Sequence, residues 1–230
     1  MLADFQTLAA ALTRDDAGKI SADDADGAIS LAVTRYSKDR PRAKVEDVAA
    51  PGGKLLPLPA SWEAGFSALS GLEYPVGDVP PSMIGSQAWA MYNAPGGMSI
   101  MVFDSIPVGA AVRASYGVAH QVSGVTDTVP PGDREAVCCL AAASLCDQLA
   151  SLYSGDTDST IGADSVNHQS KAAEFAARAK ALRKRYHDEL GIDDRKNVAA
   201  GVVVDLDLSS SLGGDRLGHG IGYRGSRRGR

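Results

Sequence analysis

The sequence predicts an α+β protein: a helical bundle built from both ends of the chain, an inserted antiparallel β region and an extended C-terminal arm. Three observations carry this. Apolar residues recur at three-to-four-residue spacing near both ends, eight of the eleven prolines fall between residues 43 and 125, and the last 14 residues hold five glycines and four arginines. The expected divisions are therefore 1–42 (N-terminal helices), 43–127 (β insertion), 128–192 (long-helix pair) and 193–230 (strand and arm).

Leu2, Phe5, Leu8 and Leu12 make the apolar stripe of a first helix, and Ala25, Ile29, Val33 and Tyr36 that of a second. Ser21 followed by Asp24 supplies an N-cap for the second helix, with Asp23, Asp24 and Asp26 in its first turn, and Pro41 ends it. From about Ala43 to Val125, prolines and glycines punctuate the runs LLPL, GLEYPV, AWAMYNA, GMSIMVF and AAVRASYGVAHQV. The last is the clearest strand, because Val112, Ala114, Tyr116, Val118 and His120 point one way and the residues between them the other. Asn93 to Gly97 is a turn signal that predicts a hairpin joining AWAMY to MSIMVF.

After Pro130-Pro131-Gly132, Asp133 is placed to cap a helix running to about Tyr153, with Val137, Ala141, Leu145, Leu149 and Leu152 along its stripe. Ala, Cys and Ser fill its other faces, which predicts burial on more than one side. A polar loop precedes a last helix striped by Phe175, Ala179, Leu182, Tyr186 and Leu190. Gly191 then sits at a left-handed C-cap, with Ile192 able to pack back toward Tyr186. Residues 202–208, VVVDLDL, alternate as one further strand, a candidate edge. The Gly/Arg-rich terminus has too little apolar surface to pack and needs a partner to order it.

Composition narrows the function class. With 230 residues, 44% apolar, the chain can build a real core, which argues against wholesale disorder. Three cysteines without CxxC spacing are no disulfide framework, and a reducing interior is the expected place of synthesis. The start MLADFQTLAAALTRDD lacks the basic region and cleavage site of a signal peptide, and no span of about 18 uninterrupted apolar residues stands out, so neither secretion by that route nor membrane crossing is expected. The net charge of −5 divides unevenly: residues 1–167 carry 10 Lys/Arg against 20 Asp/Glu, and residues 168–230 carry 13 against 8, giving −10 and +5. Such separation suits contacts between opposite ends of neighbouring copies, or between the basic part and a polyanion.

Chemical motifs fall short. The Asp156, Asp158, Thr160 series opens like a calcium loop but ends on Asn167, and the Thr13 to Asp24 stretch starts with Thr and has Ala17 at its fifth place. Ser67 lacks the second glycine of a nucleophile elbow, and His120, His168, His187 and His219 are scattered, so a zinc or Ser-His enzyme is not expected. Cys138, Cys139 and Cys146 fit core packing within an Ala-rich helix. GHGIGYRG has neither the preceding strand nor the following helix of a phosphate loop. The terminal arginines instead suit phosphates or an acidic protein surface. Arg178, Lys180, Arg183, Lys184 and Arg185 form a basic helix that reads first as a solvated face.

Three segments, DDADGAISLAVTRYSKDRP, LPASWEAGFSALSGLEYPVGDVPPSMI and the two-helix block AVCCLAAASLCDQLASLYSG through KALRKRYHDELG, together resemble the head-to-tail connector (adaptor) proteins of tailed bacteriophages. The β region departs from the compact all-helical adaptors. The resemblance implies a non-enzymatic virion protein, made in the host cytoplasm and without a cofactor. It would form a homo-oligomeric ring of twelve subunits joining the portal protein to the tail or a tail-completion protein. On this reading Val202, Val204, Leu206, Arg216, Tyr223, Arg224, Arg227, Arg228 and Arg230 are the partner-binding residues. Ala141, Leu145, Leu149, Arg178 and Arg183 would line the subunit interface, and packaged DNA is a non-specific contact. The other reading is a nucleic-acid-binding module using the basic helix 168–190 and the Arg-rich terminus.

Overall fold

The computed structural model of the chain describes residues 1–155 and 168–192. Their order is α1 (Leu2–Thr13), α2 (Ala22–Asp39), β1 (Arg42–Ala49), β2 (Gly53–Leu56), β3 (Leu69–Glu73), β4 (Met83–Ile84), β5 (Trp89–Ala94), β6 (Gly97–Ile106), β7 (Ala111–Val118), α3 (Arg134–Gly155) and α4 (His168–Leu190). The protein is thus α+β, with helices from both ends flanking two antiparallel sheets.

α2 starts where its sequence says. The Ser21 hydroxyl accepts the Asp24 N–H at 3.1 Å and the Asp24 carboxylate accepts the Ser21 N–H at 3.2 Å, so two donors that the first turn would leave unpaired are satisfied together. α3 is the central helix. Ala136, Val137, Ala141 and Leu145 pack with Phe5, Ala9, Ile29 and Tyr36 of α1 and α2 on one side. Cys139, Ala142, Ala143 and Cys146 meet Ala179 and Leu182 of α4 on the other, where side chains this small let two helices approach closely. By length and composition Pro131–Gly155 is apolar enough to cross a membrane, which the sequence reading did not anticipate. More than half of its apolar window is buried inside the protein, as befits a core helix contacted from two sides.

α4 ends as expected. Gly191 has φ +64°, its N–H bonds to Asp188 O at 3.2 Å, and the Ile192 N–H reaches back to His187 O at 2.9 Å. These are the paired bonds of a left-handed C-cap, and Ile192 packs against the core that contains Tyr186.

Two expectations fail here. Asp133 does not cap α3, because Pro131–Asp133 forms a 3₁₀ turn and the carboxylate is drawn instead to Tyr36 Oη (2.5 Å) and Arg40 Nη1 (3.0 Å). Leu152 lies outside the buried stripe, 53% exposed.

The larger sheet has the order β1-β7-β3-β4 and the smaller β2-β6-β5, all pairs antiparallel. β7 alternates as predicted, burying Val112, Ala114, Tyr116 and Val118. These side chains share one core with Leu56, Ile100, Val102 and Ile106 of the smaller sheet. β5 and β6 form the expected hairpin, with Ala94 paired to Gly97 across Pro95-Gly96. The turn from β1 to β2 requires glycine at residue 52, where φ is +97° and a Cβ would stand 2.5 Å from the Val108 side chain.

His120, just past β7, joins the layers. Its ring nitrogens lie 2.9 Å from Thr128 O and 3.1 Å from Arg40 O, its backbone N–H bonds to Ser37 Oγ at 2.9 Å, and its ring packs 4.9 Å from that of Tyr36.

Candidate functional site

The expected partner-binding residues Val202, Val204, Leu206, Arg216, Tyr223, Arg224, Arg227, Arg228 and Arg230 lie outside the described residues, as does the Asp156 series. The expected subunit-interface residues can be placed, and burial corrects the assignment for three of them. Ala141, Leu145 and Leu149 are at most 2% exposed within this one chain, so they hold its own helices together and present nothing to a neighbour. Arg178 donates to Thr13 O at 3.0 Å and pairs with Glu174 at 3.5 Å, while Arg183 pairs with Asp147 of α3. Arg185 bridges Glu135 of α3 and Glu189 of its own helix. Three of the six cations of α4 are therefore paired with groups of α1 and α3, and a fourth, Lys171, stands over the Tyr153 ring. Lys180 and Lys184 remain on its exposed face.

Polar clusters elsewhere are spent on structure. Ser61 lies between Lys44 and Glu46: the Lys44 ammonium donates to its hydroxyl, which donates to Glu46 Oε1 at 2.5 Å. The Ser61 hydroxyl, then Lys44, hold the Glu46 carboxyl down at about 2. A carboxylate that acidic is a poor base for removing a proton from serine, so the cluster ties the 57–68 loop to β1. The Thr13 to Asp24 stretch also spends its oxygens internally, Thr13 on Ala9 O, Asp15 on the Ile20 N–H and Asp24 on Ser21. Among the described residues no three His, Cys, Asp or Glu side chains gather as a cation site. Burial pushes the thiols of Cys138 and Cys139 up to about 12 and about 11, leaving them as protonated core groups. A groove of about 490 Å³ opens between the end of α2 and the larger sheet, lined by Ser37, Lys38, Pro41, Phe66, Leu69 and Tyr116, with Lys38 its one charged side chain and no carboxylate, imidazole or thiol beside it.

What sequence reasoning missed is the outer face of the smaller sheet. Ser99, Met101 and Phe103 of β6 project from the side opposite Ile100 and Val102, and the register sets Tyr92 beside Ser99 and both Leu55 and Ala90 beside Met101. Leu55, Tyr92 and Phe103 are 44%, 42% and 51% exposed on this face. The signal was present in AWAMYNA and GMSIMVF, which are apolar on both alternating sides. A strand with only one covered face would ordinarily be polar on the other. A contiguous apolar sheet face is suited to meeting another protein surface.

No protein-family model matches this chain, and no curated protein matches it significantly.

Proposed function

We propose that this chain is a structural virion protein whose copies form a ring joining the portal vertex of a tailed-phage capsid to the tail. The observation that carries the reading is how charge is spent. Arg178, Arg183 and Arg185 are paired within the chain, on the surface of the bundle, so the cations free for a partner are concentrated in Arg216, Arg224, Arg227, Arg228 and Arg230, in a glycine-rich stretch of a chain whose first 167 residues carry −10. An arm of that composition gains order and affinity together when it meets an acidic protein surface. The uncovered apolar face of the smaller sheet adds a second contact surface of the kind an assembly protein needs.

A nucleic-acid-binding module loses the three arginines of its basic helix to the same pairing, with Lys171, Lys180 and Lys184 left to serve it. The deciding experiment is negative-stain imaging of the purified protein mixed with the portal ring of the same virion. Rings seated on the portal are expected, and deletion of residues 212–230 should abolish the seating. A protein that stays monomeric and ignores every capsid component refutes the proposal. DNA binding that falls steeply with salt and needs no portal would establish the other reading.

A further inference from the structure

The geometry of the smaller sheet points to β5 as the acceptor edge for a strand donated by a neighbouring copy, and the strand we assign is Val202–Leu208. Delivery from one copy to the next rests on the ring reading above.

β5 ends its sheet, and the phase of its ladder is set. Phe103 N–H bonds to Ala88 O at 2.9 Å, so the opposed pairs 90/101, 92/99 and 94/97 are the hydrogen-bonded ones. It follows that Trp89, Met91 and Asn93 aim their N–H and C=O groups away from β6, a repeating row of donors and acceptors along an edge that no described strand pairs.

Edges of this kind recruit strands unless they are guarded. The other edges here are guarded: β1 carries Arg42, Lys44, Glu46 and Asp47, β2 has only four residues including Lys54, and β4 has two. β5, Trp-Ala-Met-Tyr-Asn-Ala, has neither charge nor proline. The exposed Leu55, Tyr92 and Phe103 lie on the same sheet, so a strand added at β5 would extend an apolar face already present.

The occupant is chosen by pattern and reach. Residues 202–208, Val-Val-Val-Asp-Leu-Asp-Leu, hold apolar residues at 202, 204, 206 and 208, acids at 205 and 207, and no glycine or proline. Seven residues match the six of β5. Nine residues lie between Ile192 and Val202, and the ten steps from one to the other span up to about 35 Å when extended, a distance on the order of one subunit. Main-chain bonds would supply the affinity and the alternating side chains the specificity, the physics of strand addition. Donor and acceptor are different patches, so the contact repeats head to tail, as a ring requires.

Two full-length variants separate the roles. Val204→Asp with Leu206→Asp places charge on the apolar side of the donor and leaves β5 intact. Asn93→Pro removes an outward N–H that the β5–β6 ladder does not use, so the hairpin persists and the edge is blocked. Amide hydrogen exchange at Met91 and Asn93 should be at least about tenfold slower in the wild-type protein than in the double-Asp variant. Mixing the double-Asp variant, which can only accept, with an isotopically distinct Asn93→Pro variant, which can only donate, should restore slow exchange at Met91 of the accepting copies and yield pairs that do not grow. Equal exchange in wild-type and double-Asp proteins overturns the assignment. A mixture that restores nothing overturns donation between copies. Rings that seat on the portal while these amides exchange freely would end this inference and leave the connector reading standing. Restored protection in a protein that ignores the portal would do the reverse.

Discussion

Asp133 holds together the end of α2 and the start of α3, and its removal can be worked through. The Tyr36 hydroxyl donates to its carboxylate at 2.5 Å in a residue 1% exposed, and Arg40 Nη1 approaches both carboxylate oxygens at 3.0 and 3.2 Å. A hydrogen bond to a charged, largely buried acceptor contributes about 2 kcal/mol, and its loss strands a hydroxyl that water cannot reach. The Arg40 side chain is 45% exposed, so its pairing adds only about 0.5 kcal/mol. Asp133→Ala should therefore cost about 2.5 kcal/mol, lowering Tm by about 5–10 °C for a unit of this size. Tyr36→Phe alone should cost about 2 kcal/mol, yet become nearly neutral in the Asp133→Ala background, giving a coupling of about 1.5–2 kcal/mol. Urea unfolding of the four proteins, with unchanged m-values, measures it. A coupling below about 0.5 kcal/mol would show that the tyrosine does not depend on the aspartate, and the argument would fail.

Leu149→Ala should destabilise by about 2–5 kcal/mol and Leu152→Ala by less than about 0.5 kcal/mol, although the two share one predicted stripe; chemical denaturation separates them. Cys138 and Cys139, with thiols held near 12 and 11, should resist a thiol reagent at pH 8 until denaturant is added, and labelling in native buffer would contradict their burial. Glu46 titrates at about 2 in the folded protein against an ordinary 4.5, so its stabilisation is present above that ordinary value and drains away as pH falls toward 2. Glu46→Gln should flatten the fall of stability over this acid range, as followed by thermal unfolding at stepped pH.

Local rules read well wherever the deciding partner was a near neighbour. The Ser21–Asp24 box, the Gly191 cap, the Pro95-Gly96 hairpin and the alternation of β7 all depend on residues a few positions apart. Asp133 misled for the opposite reason: an aspartate before a helix satisfies every local rule for a cap, but Tyr36 lies 97 residues away. β1 escaped notice because the charges that guard its edge obscure its alternation. The interface role expected of Ala141, Leu145 and Leu149 came from small, apolar helix faces, which look alike whether the neighbour is α1, α2 or another copy. The exposed face of the smaller sheet was hidden similarly, since AWAMYNA and GMSIMVF do not reveal which of their two sides the larger sheet will cover.

The residue at position 120 is a rivet through three segments: its backbone N–H is held by the Ser37 hydroxyl in the last turn of α2, and its ring nitrogens by the carbonyls of Arg40, just after that helix, and of Thr128 on the strand-like return. Replacing that side chain would release both carbonyls at once, leaving the exit from α2 and the run into α3 without their shared fastening to the chain just past β7.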